Sequence, residues 1–488
     1  MIILLQILLV PVAFVFITYC AGLRWGRRTG WLAFLSLLYS AVVTLLVAIH
    51  GGAVEYYQWR PIGIFGLNAD GISIPILFTI SLLCALISIY SMQYMTHIIK
   101  DDKAQFGLYY SLLLLYSIGM MGTVLATDLI EFYLFFELML IPSYFLIAKW
   151  GSGDRHKISF MYFIWTHIGA LAFLAGILSV GYFSSTFDLQ SIVSSSIPEN
   201  VRLLIVCLMT LGLLVKMAAF GLHIWLPHAH AEAPTPISAL LSPAMIGIGG
   251  YAIVRIVMTI LPSAFLEISI ILTVWAVVTM FYGGAMALVQ DDIKRLLAYS
   301  SISQMGYILL GIASFQTLGV SGAMFQYVTH GLGKGILFMV AGAIMIQANG
   351  LRSIGKMGGL AAKMPVTTMA ALIGFLTIMG IPPTTGFISE FLIFAGSFHE
   401  GFQLSSMARI ALSSLGVVST ALTAGYSLWA VRRIFFGELP PELTDVKEAP
   451  WTMTAPLLVL CAISIILGIF PDLVERLLLP AVKAILGA

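Results

Sequence analysis

The sequence predicts an all-α polytopic membrane protein of about 14 transmembrane helices, and three observations carry that expectation. Of 488 residues, 60% are hydrophobic and only 46 (24 Lys plus Arg, 22 Asp plus Glu) are charged, where a soluble chain of this size would carry about 120. The mean hydropathy of +1.01 belongs to the whole chain rather than to one anchor. Fourteen apolar runs are each long enough to cross about 30 Å of hydrocarbon: residues 2–22, 30–50, 72–95, 107–127, 129–149, 158–183, 202–222, 237–259, 265–289, 299–316, 320–348, 365–398, 407–431 and 452–471. Finally, the basic residues alternate in step with those runs. Connections after odd-numbered spans hold sixteen Lys and Arg, and those after even-numbered spans hold six, Arg60, Arg202, Arg255, Arg409, Arg476 and Lys483. Basic connections face the cytoplasm, so both termini are expected on the outer face of the membrane.

In chain order, spans 1–3 form an N-terminal unit over 1–106. Met1–Gly22 is apolar from the start and lacks a basic leader, which reads as a first span rather than a cleaved signal. Spans 4–8 occupy 107–259 and spans 9–13 occupy 260–435, with span 14 in 436–488. Span 6 contains Met161 followed by Thr166-His167, and span 11 contains Met324 followed by Thr329-His330. The two matching stretches lie five spans apart, so spans 4–8 and 9–13 would start on opposite faces, as an inverted repeat does. Spans 7 and 12 are the expected broken helices. Span 12 is interrupted at Gly380-Ile-Pro382-Pro383-Thr-Thr-Gly386, whereas span 7 shows no equally plain break.

Two of the 24 basic residues, Lys216 and Lys334, fall well inside spans, and so do Glu137 and Glu390. A charge in mid-membrane costs about 2.5–3.5 kcal/mol on insertion scales, which makes it a functional candidate. Glu137 sits among aromatics and can equally be packing glue; Glu131, six residues earlier, lies near the helix start and can be an interfacial carboxylate. The charge state of a lysine out of water depends on nearby carboxylates, and Lys216 is too deep to reach an interface easily. Glu390 follows the break in span 12 within about the first turn, where a half-helix N-terminus favours a carboxylate. His330 and Lys334, four residues apart, share a helix face and suggest a proton relay. His330 and His167 each also read as satisfied core histidines. The run His223, His228, His230, Glu232 resembles a ligand set, but it lacks helical metal spacing, and no metal is expected. Cys20, Cys84, Cys207 and Cys461 are scattered in apolar stretches, and no nucleotide or flavin motif occurs. The net charge of +2 offers no field for nucleic acid.

At this point the residues resemble a known family. Glu137 with Leu-Met-Leu-Ile-Pro after it, Lys216-Met through His223-Ile-Trp-Leu-Pro-His228-Ala-His230-Ala-Glu232, Asp292-Ile-Lys-Arg-Leu-Leu-Ala-Tyr-Ser-Ser, His330-Gly-Leu-Gly-Lys334 and Gly380-Ile-Pro-Pro-Thr-Thr-Gly with Glu390 are similar to the antiporter-like membrane subunits of respiratory complex I. The resemblance covers spans 4 to 13. It implies fourteen helices with an inverted repeat, and proton transfer along Glu137, Lys216, His330, Lys334 and Glu390, with His223, His228, His167 and Glu131 as secondary candidates. Glu390, where relatives of other kinds carry lysine, and the short tail after span 14 favour the subunit 4, or subunit M, type. No redox site is implied in this chain; flavin, Fe–S clusters and a quinone or phenazine are implied in partner subunits, among other antiporter-like and membrane-arm subunits. Two departures stand out. Gly247 occupies the position where the family carries a central lysine on span 8, and Lys334 is unusual for subunit 4. The combination points to a divergent complex such as the archaeal dehydrogenases that oxidise a reduced deazaflavin. A multisubunit cation/proton antiporter and a proton-pumping membrane-bound hydrogenase are the alternatives.

Overall fold

A computed structural model describes residues 3–59, 63–193 and 197–487. Arg60, counted above among the outer-side charges, lies outside them. Eleven helical runs among these residues are long and apolar enough to cross a membrane. The first, Leu4–Ile49, contains α1 (Leu4–Trp25) and α2 (Gly30–Ile49) joined by one tight turn. There follow α3 (Ser73–Tyr94), α4 (Lys103–Leu125), α5 (Leu129–Trp150) and α6 (Arg155–Ser184). The segment expected as span 7 is split into α7 (Glu199–Lys216) and α8 (Trp225–Glu232). Then come α9 (Thr235–Ile260), α10 (Pro262–Leu288), α11 (Ile293–Ala313) and α12 (Thr317–Gln347). Span 12 is likewise split, into α13 (Pro365–Ile378) and α14 (Thr385–Gln403), ahead of α15 (Met407–Phe435), α16 (Trp451–Ile469) and a short amphipathic α17 (Asp472–Leu486).

The expectation of an all-α chain needs correction. Between α2 and α3 runs an antiparallel hairpin, β1 (Ala53–Trp59) and β2 (Gly63–Ala69), with Ala53 opposite Ala69. The residues of β1 alternate between half-buried and exposed, a period of two that a search for 20-residue apolar runs passes over. The hairpin is tied down by polar contacts: the Gly66 N–H donates to Glu131 Oε2 at 3.0 Å, and the Thr127 N–H donates to the Gly66 carbonyl at 3.1 Å. Glu55 accepts from the amides of Ile3 (2.5 Å), Leu4 (3.1 Å) and Leu5 (3.0 Å), capping α1 with a carboxylate where the helix dipole favours one.

The interior is ordered by burial. The apolar stretch of α9 is wholly buried, and those of α3, α11 and α12 are about nine-tenths buried, while α15 and α16 present mostly outward faces. Charges on the inner four are therefore screened from lipid by protein. Helices approach closely where side chains are absent: a Cβ on Gly22 of α1 would lie 2.2 Å from Gly107 Cα of α4. Two similar clasps hold helix starts. Asp128 accepts from the Ile130 and Glu131 amides, while Leu129 N–H donates to Phe187 O (2.9 Å) and Leu189 N–H to Thr127 O (3.0 Å). Asp292 does the same for Lys294 and Arg295, with Ile293 N–H to Arg352 O (3.0 Å) and Ile354 N–H to Asp291 O (2.6 Å).

Three of the basic residues read as loop charges are not in open loops. Arg255 lies inside α9 and its Nη1 is 2.6 Å from Asp70 Oδ2. Burial raises the Asp70 carboxyl, but Arg255 and hydrogen bonds from Ser73 outweigh it and hold Asp70 below the usual carboxylate range. Arg409, near the start of α15, pairs with Glu400 and donates to Ser269 Oγ at 2.8 Å. Lys294 is 1% exposed. A sequence reports proximity to a helix end, and helix ends here are themselves covered by neighbouring helices.

A buried polar axis through two broken helices

The break after Lys216 is an ordered feature. Ala218 and Gly221 adopt positive φ (55° and 84°), which a continuous helix does not allow. The freed carbonyls are taken by indoles: Trp225 Nε1–H donates to Val215 O (3.0 Å), Trp165 to Leu222 O (2.9 Å) and Trp275 to Phe220 O (2.8 Å). Phe220 N–H donates to Thr279 Oγ1 at 3.2 Å. Within the break, His223 Nδ1 accepts from the Gly221 amide (3.1 Å), which leaves Nε2 of a neutral ring to donate to Tyr282 Oη at 3.0 Å. Irregular backbone persists in a membrane only when satisfied in this way.

Lys216 is the last residue of α7 and is 2% exposed, with its ammonium 4.7 Å over the Phe136 ring. Glu137, next to Phe136, lies close enough to act on that charge, but its bonded partner is His167, with Nδ1 3.0 Å from Oε2. The other carboxylate oxygen, Oε1, is buried without a partner. The Glu137 and His167 side chains are 17% and 36% exposed, so this pair reaches the surface of the subunit. Glu131 is buried and bound to the hairpin amide described above, and His228 is exposed on α8.

In the other half, Lys334 and His330 are buried on α12. They do not bond each other: Lys334 Nζ donates to Ser300 Oγ and, at 3.3 Å, to Leu297 O, both on α11, while His330 Nε2 has no partner. Glu390 is the sixth residue of α14, further from the break than the first turn, and its carboxylate folds back against Gly380, whose φ of 66° leaves the space a side chain would fill. Lys216 thus closes the first half of one broken helix, whereas Glu390 stands in the second half of the other. A run of neutral side chains ties this region together. Gln304 Nε2–H donates to Ile378 O at the break (3.1 Å), Gln326 donates to Gln304, and Ser389 Oγ donates to Gln326 Oε1 at 2.5 Å, with Thr329 Oγ1 3.1 Å from Ser389 Oγ. Tyr426 lies beside Ser300, Gln304 and Glu390, so its hydroxyl stands between the Lys334 and Glu390 ends.

Gly247 has a definite occupant. A Cβ there would fall 2.4 Å from the Tyr327 ring, whose hydroxyl donates to Ala244 O at 2.5 Å within a π-turn of α9 (Leu241–Met245). An aromatic ring from α12 fills the room a lysine would need. Tyr116 and Tyr162 continue from Tyr327 towards Glu137, with Tyr162 Oη 2.7 Å from Ser143 Oγ.

Sequence reasoning set aside His230 and Lys294. Lys294 Nζ donates to the carbonyls of Ala233 (2.5 Å) and Ala231 (3.4 Å) at the end of α8. His230 is fully buried and stacked on Phe338 at 4.8 Å. The His run is therefore dispersed: one ring on Tyr282, one exposed, one on Phe338. Among the described residues no group of three or more His, Cys, Asp or Glu side chains is placed to hold a metal ion.

With this geometry in place, comparison with known proteins is decisive. The sequence pattern of NADH:quinone oxidoreductase/Mrp antiporter transmembrane proteins matches residues 126–423. The chain belongs to that family. Within the family, it is 33% identical to F(420)H(2) dehydrogenase subunit M of Methanosarcina mazei, aligned over 99% of this chain and 97% of that protein. It is 31% identical to NADH-quinone oxidoreductase subunit M of Rhodobacter capsulatus, over 70% of this chain and 68% of that one. A chain in the structure of respiratory complex I from Thermus thermophilus with bound NADH superposes with a TM-score of 0.88 at 26% identity, covering 100% of this chain and 99% of that one. Like them, this chain is an antiporter-like membrane subunit.

Proposed function

We propose that the chain is a proton-translocating subunit, of the subunit M type, in a complex I-like respiratory dehydrogenase, and that partner subunits carry the flavin, Fe–S and quinone or phenazine chemistry. The likeness to subunit M of an F(420)H(2) dehydrogenase over nearly the full length favours a reduced deazaflavin as the electron donor of the complex. The observation that carries the reading is the placement of ionisable groups at the two breaks, Lys216 at one and Glu390 at the other, with Lys334 bonded to Ser300 one helical turn from Gln304, which donates at the second break. Such groups in a membrane interior mark ion pathways. The fourteen-span count follows if α7–α8 and α13–α14 are each one broken span. The paired clasps at Asp128 and Asp292, and a break in the fourth member of each five-helix set, support an inverted repeat over 107–259 and 260–435. The bias of the basic connections supports both termini facing outward in a prokaryotic plasma membrane.

In this mechanism the Glu137–His167 pair, reaching the subunit surface, senses the charge state of the neighbouring subunit, and its field on Lys216 sets whether that lysine holds a proton. Moving one charge against 100 mV costs about 2.3 kcal/mol. Coulomb coupling between partly buried charges a few ångströms apart reaches that scale, about 4 kcal/mol at 4 Å. The proton passes by His330 and Lys334 to Glu390. The test is Glu137→Gln in the complex reconstituted into vesicles: assembly is retained and proton movement is abolished. Wild-type pumping in that variant would end the proposal.

A further inference from the structure

One buried titratable side chain has no part in that route. His230 of α8 is 0% exposed and both of its ring nitrogens lack hydrogen-bond partners, an uncommon state for a fully buried imidazole. Its surroundings are basic on two sides. Lys294 of α11 donates to Ala231 O and Ala233 O, the carbonyls immediately beyond His230. On the other side the ring stacks on Phe338, which stands one helical turn from Lys334, itself one turn from His330. His230 lies in electrostatic range of both lysines, and His330 in range of Lys334 and His230. Above Lys294 the surface is polar and exposed, with His228 on α8 and Arg295 on α11, and the Arg352–Asp292 pair at 2.6 Å. On the α6 side, α8 meets Tyr162 through Trp225, 5.3 Å between rings.

We propose that His230 is a proton-loading relay, carrying protons from the membrane face where α11 begins, through Lys294, to Lys334. This rests on the proton-translocating reading above and supplies its entrance. The chemistry needs no other reactant. A neutral imidazole takes a proton on one nitrogen from the Lys294 ammonium and releases the proton of its other nitrogen to the Lys334 amine, and the ring turns over to reset. By the charge bias of the connections, that face is the cytoplasmic one.

The test uses the whole complex in vesicles, reading protons moved per electron pair against the pH of the face where α11 begins. His230→Gln, which keeps polarity but cannot titrate, should lower the ratio measurably and slow proton movement through this subunit on the order of tenfold or more. In His230→Ala, added imidazole should restore pumping, a response that a packing role would not give. Wild-type stoichiometry and pH profile in His230→Gln, or no rescue of an assembled His230→Ala, would overturn the relay. So would failure of both variants to assemble, since the ring would then be a packing element. Glu137→Gln run in parallel separates the two ideas: if it is inactive while His230→Gln pumps normally, only the relay falls, and if it also pumps, the reading of the whole chain falls.

Discussion

The two broken helices solve the same problem with different materials. At the first, three indole N–H groups and Thr279 close the backbone, and the charges are open to influence: Glu137 and His167 reach the surface and Lys216 rests on an aromatic face. At the second, one glutamine amide holds the exposed carbonyl, and Lys334 and Glu390 are sealed within serines, glutamines and tyrosines. A charge set near the surface can be driven by a neighbour, whereas a sealed one answers to the groups packed around it. Under the proposed function, the first half serves coupling and the second conduction.

Lys334→Met tests the sealed half most severely. Replacing a buried lysine by an apolar side chain of similar length need not weaken the fold, yet the rate of proton movement through this subunit should fall on the order of a hundredfold. An unchanged rate in vesicles would make the second half a scaffold and erase the contrast. Next, Gly247→Lys would drive a side chain into the Tyr327 ring, costing about 1–3 kcal/mol by overpacking. Thermal denaturation in detergent should show the loss, and Tyr327→Ala in the same chain should recover part of it. The breaks themselves can be compared through Trp165→Phe and Gln304→Leu, each removing one donor from a carbonyl. Each should cost about 1–3 kcal/mol. The glutamine change should cost more, because Gln304 also accepts from Gln326, whereas the indole has one role. Equal melting temperatures for the two variants would remove that distinction.

The smallest effect concerns neither half but the tie between the hairpin region and α9. With its carboxyl held low, Asp70 contributes stability that is fully present above the ordinary carboxyl value of about 4 and is lost as pH falls below it. Asp70→Asn should abolish that acid sensitivity, measured as the slope of melting temperature against pH.

Much of this was legible in the residues. Composition alone places the chain in a membrane, and the rule that a buried charge needs a reason picks out Glu137, Lys216, Lys334 and Glu390. What escaped has physical causes. The first strand of the hairpin is written in period two, and both strands are too short for a span search. Lys294 follows Asp291-Asp292 at a helix start, so it reads as a cytoplasmic charge; only the fold shows that the end of α8 lies over it. Trp165, Trp225 and Trp275 look like ordinary apolar residues, because nothing local reveals that a broken backbone 10 to 57 residues away needs their N–H groups. The partnering of Glu137 with His167 was hidden for the same reason, 30 residues of chain separating them.

The capping of α1 by Glu55 also bears on how the chain is made. The amides of Ile3, Leu4 and Leu5 wait for a carboxylate about fifty residues downstream. The carboxylate that completes the first turn of α1 comes from β1, beyond the end of α2, so the first helix acquires its finished end only once α2 and the hairpin have folded back on it. Until then three amides of the leading turn lack a partner, and the return of the hairpin is the event that locks the N-terminal unit together.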